Sequence, residues 1–280
     1  SPFTNNEEVI VSFALVGDIG DKGDKGQKGI QGTQGTQGIT GILPLTGTTA
    51  NGVITYDGDG TGTVEAGLTY TSSTLTISNK LTVGQSPTNS GQRASILGGC
   101  NNTITGNGSD SFIGGGYDNY ICRGATVIGG GRNNRVTDSY GCSTIAGGDG
   151  NCITGYGLAT IAGGQYNCHS NSCRSFIGGG NNNIVLNSSN GVIGGGNQNL
   201  VDNGSCSSVL GGYLNKICDG RCSSISGGYN NCINGQGYTC NFNFIGGGYQ
   251  NKIYKSRCSG ILGGYNNLIS GKTNTFIIGC

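Results

Sequence analysis

The sequence predicts an all-β protein: a parallel β-solenoid (β-roll) of about twelve coils of roughly 16 residues each, assembled as a homotrimer. Three observations predict this. A β-branched residue recurs at near-constant spacing through the last two thirds of the chain, an Asn follows it at a fixed distance, and near the N-terminus nine glycines keep strict every-third-residue register.

Composition narrows the function before any motif is read. The 280 residues include 59 Gly, 32 Asn and 13 Cys, with no Met, no Trp and a single His. Fifteen Lys and Arg nearly cancel 14 Asp and Glu, for a net charge of +1. A near-neutral chain offers no electrostatic footprint for nucleic acid or anionic lipid. No apolar run approaches the ~18 residues a membrane span requires. Neither nucleic acid nor membrane insertion is therefore expected, and no cofactor is expected either.

Residues 1–16 hold one short apolar stretch, around Val9–Val11 and Phe13–Val16, which reads as a strand-like segment. From Gly17 to Gly41 Gly stands at 17, 20, 23, 26, 29, 32, 35, 38 and 41. Only Gly fits the crowded axis of a collagen triple helix, so 17–41 is expected to be a collagen-like stalk, with a flexible Gly-rich linker as the alternative. A triple helix requires three chains, and this segment sets the copy number. Residues 42–93 alternate apolar and polar positions between turn residues, in Gly52–Tyr56, Leu68–Thr71, Leu75–Ile77 and Leu81–Val83, and read as a β-rich connector.

The head, 94–280, is anchored on Ile96, Ile113, Ile128, Ile145, Ile161, Ile177, Ile193, Val209, Ile225, Ile245, Ile261 and Ile277, here called position 0. Spacings are 17, 15 and 17, then 16 five times, then 20, 16 and 16. Positions +2 and +3 are Gly-Gly in the first eleven units. Position +6 is Asn in each complete unit: Asn102, Asn119, Asn134, Asn151, Asn167, Asn183, Asn199, Asn215, Asn231, Asn251 and Asn267. Position +8 is Ile or Val except at His169. Gly-Gly and Asn in every unit exclude a helix. Two short strands per coil remain, with Gly at a corner that asks for φ > 0. The Asn column is then expected to stack at the ~4.8 Å strand spacing, amide bonded to amide along the axis.

Positions −1 and +1 point away from this core and compensate each other in volume. Where +1 is Gly (114, 129, 178, 194 and 246), position −1 is large: Phe112, Val127, Phe176, Val192 and Phe244. Elsewhere −1 is Ser, Thr or Gly, with Phe276 the exception. Close packing demands such compensation and solvent does not, so these residues are expected to pack against two further copies of the chain.

The unit Ile-x-Gly-Gly-x-x-Asn-x-Ile, with Ser or Thr before the next Ile, resembles the head repeats of trimeric autotransporter adhesins, over Ala94 to Cys280. That resemblance implies left-handed parallel β-rolls packed as trimers. Gly67-Leu-Thr-Tyr70, Leu75-Thr-Ile77 and Leu81-Thr-Val83 are similar to connectors of phage and giant-virus fibre proteins, which also carry short collagen-like stalks. The many cysteines, with no long heptad stalk and no C-terminal anchor barrel, favour the viral likeness. The expected function is a structural trimeric fibre at a virion surface, for capsid decoration, protection or host attachment. It would be held by a capsid or surface protein at one end and face a host glycan or receptor at the other. A bacterial surface adhesin head is the alternative.

Several residues are candidates for special roles. Stacked columns place Cys152 over Cys168 and Cys206 over Cys222 in adjacent coils, within reach of a disulfide; Cys218 with Cys232 and Cys240 with Cys258 are further candidates. Cys168, His169 and Cys173 form a zinc alternative, although no paired Cys-x-x-Cys knuckles occur. A buried neutral His169 and a three-His axial metal site are competing readings of that residue. Asn101, Asn107, Asn187 and Asn203 begin glycosylation sequons. Tyr213, Tyr229, Tyr249 and Tyr265 share position +4 in four consecutive coils, as a contact strip or as the cover of a corner. No enzyme is expected: Glu is absent after Glu65, the aspartates are scattered in phase, and His169 alone would have to serve as base. A polysaccharide-acting tailspike and an ice-binding solenoid are the remaining alternatives, the latter lacking a regular Thr-x-Thr column.

Overall fold

The computed structural model describes residues 45–46, 52–56, 62–71, 74–77, 81–236 and 242–279. The expected stalk at 17–41 and the segment 1–16 lie outside the described residues, as do Cys240 and Cys280. Two units are present, divided after Ser78. In the first, Gly52–Tyr56 and Thr74–Ile77 both pair antiparallel with Gly62–Thr71, and Leu45–Thr46 pairs with it in parallel.

From Thr82 onward the chain winds as a parallel β-solenoid, with no helix among the described residues. A thirteen-stranded sheet runs from Thr82–Gln85 to Phe276–Ile277 and carries position 0; a twelve-stranded sheet runs from Thr88–Asn89 to Leu268–Ser270 and carries position +8. A third contact line consists of single-residue parallel bridges at position +4, from Cys100 with Tyr117 to Tyr249 with Tyr265. The sequence assigned Leu81–Val83 to the connector, but Thr82 and Val83 pair in parallel with Ile96 and Leu97. The ladder therefore reaches further toward the N-terminus than the Gly-Gly and Asn motif does.

The core is a stack of Ile and Val from the two strands of each coil. The anchors from Ile96 to Ile261 are wholly buried, as are the +8 residues from Ile104 to Ile233. Each side chain contacts its own kind one coil away, so β-branched shape is selected for stacking.

The corners explain Gly and Asn separately. At the second Gly of the pair φ is positive, +85° at Gly180. A Cβ there would lie 2.0 Å from the Gly196 carbonyl oxygen of the next coil. The first Gly is less uniform: φ is +147° at Gly179, whereas Gly195 has no positive φ and a Cβ there would have nothing within 4 Å. Asn at +6 closes the same corner. The Asn183 amide Nδ2 donates to the Gly179 oxygen of its own coil at 2.8 Å and to the Gly196 oxygen of the next at 2.9 Å. Its Oδ1 accepts the backbone N–H of Asn199 at 3.0 Å. The stack of amides expected from the sequence is thus mainly a side-chain-to-backbone ladder. Amide-to-amide bonds add to it only locally, as from Asn119 to Asn102 and from Asn267 to Asn251.

A second polar ladder runs through position −2, whose small side chains are buried. Ser111 Oγ accepts the N–H of Thr126, Ser207 Oγ that of Ser223, and Ser223 Oγ that of Asn243. These are the buried donors that a tight corner leaves without a strand partner.

Candidate functional site: the outward faces of the solenoid

With the interior filled by its own side chains, chemistry and binding fall to the outward faces. The face of the thirteen-stranded sheet is formed by positions −1 and +1, and none of these around the twelve anchors is charged. Leu97, Phe176, Leu210, Leu262 and Phe276 stand exposed there, Leu210 at 58% and Phe276 at 68%. The volume compensation has a partner inside the chain. Phe112 Cε1 lies 3.4 Å from where a Gly114 Cβ would be, and Phe176 Cε1 the same distance from that of Gly178. Phe276, the exception, lies against Gly260 of the preceding coil, its in-register neighbour. In the coils of Phe112 and Phe176 the compensation is therefore met within the chain, by a ring lying over the glycine two residues on. The pattern by itself does not count subunits, and what remains unexplained is the exposed apolar surface.

The face of the twelve-stranded sheet differs: Arg135, Lys216, Lys252 and Asp202 interrupt it, and the Arg135 guanidinium lies 4.2 Å from the centre of the Tyr120 ring. Cys122, Cys152, Cys168, Cys218 and Cys232 also project from it, since they alternate with the buried +8 column. Cys152 and Cys168 are in direct register on adjacent strands. A hydrogen bond from the Cys168 thiol lowers the Cys152 pKa to about 7 against the opposing effect of burial, and Arg135 lowers it further. Cys168 is pushed up by the same bond and by burial. Cys218 and Cys232 are not in register: Cys218 faces Asn234, and Cys232 faces Lys216. Diagonal neighbours in a sheet stand about 7–8 Å apart, beyond what a disulfide spans without backbone movement. Burial pushes Cys218 up to about 11. Cys206 and Cys222 both occupy exposed positions with φ of +59° and +55° at one corner, and Cys258 occupies the same column. Its suggested partner Cys240 lies outside the described residues.

His169 is wholly buried in the +8 column, between Ile153 and Val185. Its Nε2 lies 3.2 Å from the Thr160 carbonyl oxygen, and its Nδ1 has no partner. Burial lowers its pKa to about 4. Cys168, one residue earlier, points to the opposite face of the strand. The zinc alternative of Cys168, His169 and Cys173 is corrected accordingly, since Cys168 and His169 cannot meet one ion. Cys173 sits at a corner, 3.4 Å from Ser189 Oγ. The three-His axial site is corrected too, because the imidazole is enclosed by its own coils. Among the described residues no group of three or more His, Cys, Asp or Glu is placed to hold a metal.

The tyrosine column is real and its geometry is specific. Tyr229 and Tyr249 stack with ring centres 4.7 Å apart at 7°, Tyr249 and Tyr265 at 5.2 Å and 17°, and Tyr213 meets Tyr229 edge-on at 5.3 Å. Stacked rings occupy each other's faces, so the strip offers edges and hydroxyls rather than flat platforms. The outer face of Tyr265, at 64% exposure, is open to a stacking ligand. Asn101, Asn107, Asn187 and Asn203 are all exposed, and three of them sit at left-handed corner positions with φ of +57°, +49° and +49° for Asn101, Asn187 and Asn203.

Carboxylates are engaged locally. Arg93 holds Asp110 at 2.6 and 2.8 Å, and Arg132 holds Asp149 at 2.7 Å. The buried Asp138 accepts the Gly141 N–H at 3.0 Å and the Ser143 hydroxyl. What the sequence did not reveal is the left-handed corner at position −3, filled by residues as different as Asp110, Leu158, Arg174 and Phe242. No protein-family model matches the chain, and no curated protein aligns with it.

Proposed function

We propose that the chain is one of three identical strands of a structural surface fibre of a virion, with the solenoid as its rigid head. The observation that carries this reading is the uncharged face of the thirteen-stranded sheet, with Leu97, Phe176, Leu210 and Leu262 exposed along it. Exposed apolar side chains on a sheet face that carries no charge are the mark of an interaction surface. The glycine register of 17–41 supplies the number of copies. The twelve-stranded sheet, interrupted by Arg135, Lys216 and Lys252, is then the face turned to solvent.

The role is mechanical. Backbone ladders and buried Ile columns stiffen the head, and three-fold display multiplies weak contacts into avidity. Capsid decoration or protection and attachment to a host glycan or receptor are both served by this form, and a capsid or surface protein anchors the other end. A catalytic role finds no support in carboxylates that are paired with arginine or enclosed at a corner.

The test is the mass of the full chain in solution, with and without reductant. A trimer is expected in both conditions, and Leu210→Asp should dissociate it while Ile184→Asp on the other face should not. A soluble monomer of wild-type chain would overturn the assembly. Binding of the trimer to a glycan array or host cells separates attachment from protection.

A further inference from the structure

Cysteine is ordinarily among the most buried residue types, yet each of the eleven described cysteines is half-buried or exposed. Cys152 and Cys168 stand out among them because they are in direct register on adjacent parallel strands. Neighbouring strands lie ~4.8 Å apart, inside the Cα separation that a disulfide accepts. Arg135 is in register on the other side of Cys152, so a cationic neighbour stands beside that sulfur and not beside Cys168. The two sulfurs are therefore not equivalent: negative charge is stabilised on Cys152, while Cys168 keeps its proton.

We propose that Cys152 is a thiol-exchange site for small disulfides and that Cys168 resolves the adduct into an intrachain bridge. The Cys152 thiolate attacks one sulfur of a disulfide R–S–S–R, forming Cys152–S–S–R and expelling RS⁻. The Cys168 thiol gives up its proton to RS⁻, and its sulfur attacks Cys152 Sγ. The second RS⁻ leaves and takes a proton from water. The protein is oxidised by two electrons, and the small disulfide is reduced to two thiols.

The bridge falls where the core is weakest. Cys152 and Cys168 directly precede Ile153 and His169, the step at which an imidazole with an unpartnered nitrogen interrupts the Ile and Val column. Joining these two coils holds their register across that step. The groups facing Cys152 are few: Arg135 on one side, with Tyr120 beneath its guanidinium, and Cys168 on the other, followed by Ile184. Thr137, Thr154 and Ser170, two residues along, are uncharged.

The test uses the full chain, reduced and freed of reductant, with oxidised glutathione at pH 7 as probe. At that pH about half of Cys152 is thiolate, against about 3% for an ordinary thiol, and its lower basicity offsets part of this. A first step about threefold faster than at a typical exposed cysteine is expected. Chymotrypsin cuts after Tyr156, Leu158 and Tyr166, between the two cysteines, so mass spectrometry distinguishes the products. Wild type should yield peptides joined through Cys152 and Cys168 with no retained glutathione. Cys168→Ser should retain glutathione on Cys152, and Arg135→Gln should slow the first step. Both cysteines face outward, so serine substitution leaves the core intact. Separate alkylation of Cys152 and Cys168 after exposure would overturn the proposal, as would a bridge from Cys152 to another cysteine or a Cys168→Ser variant with no adduct at Cys152.

Discussion

Replacing Asn183 by Ala isolates the energetic role of the Asn ladder. The change removes two donors and one acceptor at a buried corner. The Gly196 oxygen keeps a second partner, the N–H of Asn181 at 2.9 Å, so it is not stranded. The Asn199 N–H and the Gly179 oxygen lose the partners shown for them. Two stranded backbone groups at about 1–3 kcal/mol each give a loss of about 2–6 kcal/mol. The vacated volume adds to this in the same direction. Asn197→Ala, on the exposed corner two residues before Asn199, should change stability by about 0.5 kcal/mol or less. Urea unfolding of both variants gives the comparison, and amide exchange at residue 199 reports whether its proton has become labile. Asn183→Asp keeps an acceptor but loses both donors beside two carbonyls, and should be at least as damaging. Equal midpoints for the Asn183 and Asn197 variants would refute the ladder as a source of stability.

Other substitutions probe other columns. Gly180→Ala should cost about 2 kcal/mol or more through its left-handed φ and the approach to the Gly196 oxygen, whereas Gly195→Ala should be tolerated, both read from denaturant midpoints. His169 has a folded pKa of about 4, below its unfolded value of 6.5, so its neutral form is favoured by folding. Its stability contribution is fully present above pH 6.5 and is lost as pH falls toward 4, by about 3 kcal/mol in all. His169→Val should flatten the stability profile over that window and raise stability at neutral pH by about 1 kcal/mol, since an unpartnered buried nitrogen is removed. Tyr249→Ala, between two parallel rings, should lose about 1 kcal/mol more than Tyr265→Ala at the end of the stack. Thermal unfolding of the two variants checks the order.

The columns at positions 0 and +8 were legible because side-chain identity there is fixed by one demand, stacking of a β-branched shape on itself. The same holds for Asn at +6, whose role the sequence located but whose bonding it did not. A column tells which residues lie above each other, whereas the tilt that aims Oδ1 at a backbone N–H is set by the corner's φ and ψ. The small residues at −2 were not read as a column, and the buried ladder that Ser111, Ser207 and Ser223 form emerges only from the structure. The coil before Ile96 was missed because Thr82–Gln85 carries neither Gly-Gly nor Asn at the expected places. The corner at −3 is silent for a different reason: its backbone shape is imposed by ladders on both sides, so Leu158 and Phe242 adopt φ of +65° and +47° without any compositional trace. Among the candidate sites, the stacked cysteines followed from period alone, while the isolation of His169 from Cys168 required knowing which way each strand residue points.

The varying spacings of the repeat have an architectural consequence. From each anchor to its +8 partner the count never changes, so every extra or missing residue falls on the return arc that leads to the next anchor. Even the 20-residue unit keeps Ser224 opposite Phe244, and Asn251 N–H still reaches Asn231 Oδ1 at 2.9 Å. The fold thus behaves as a rod of constant girth with one permissive edge, along which loops can lengthen and diversify while the opposite side keeps time.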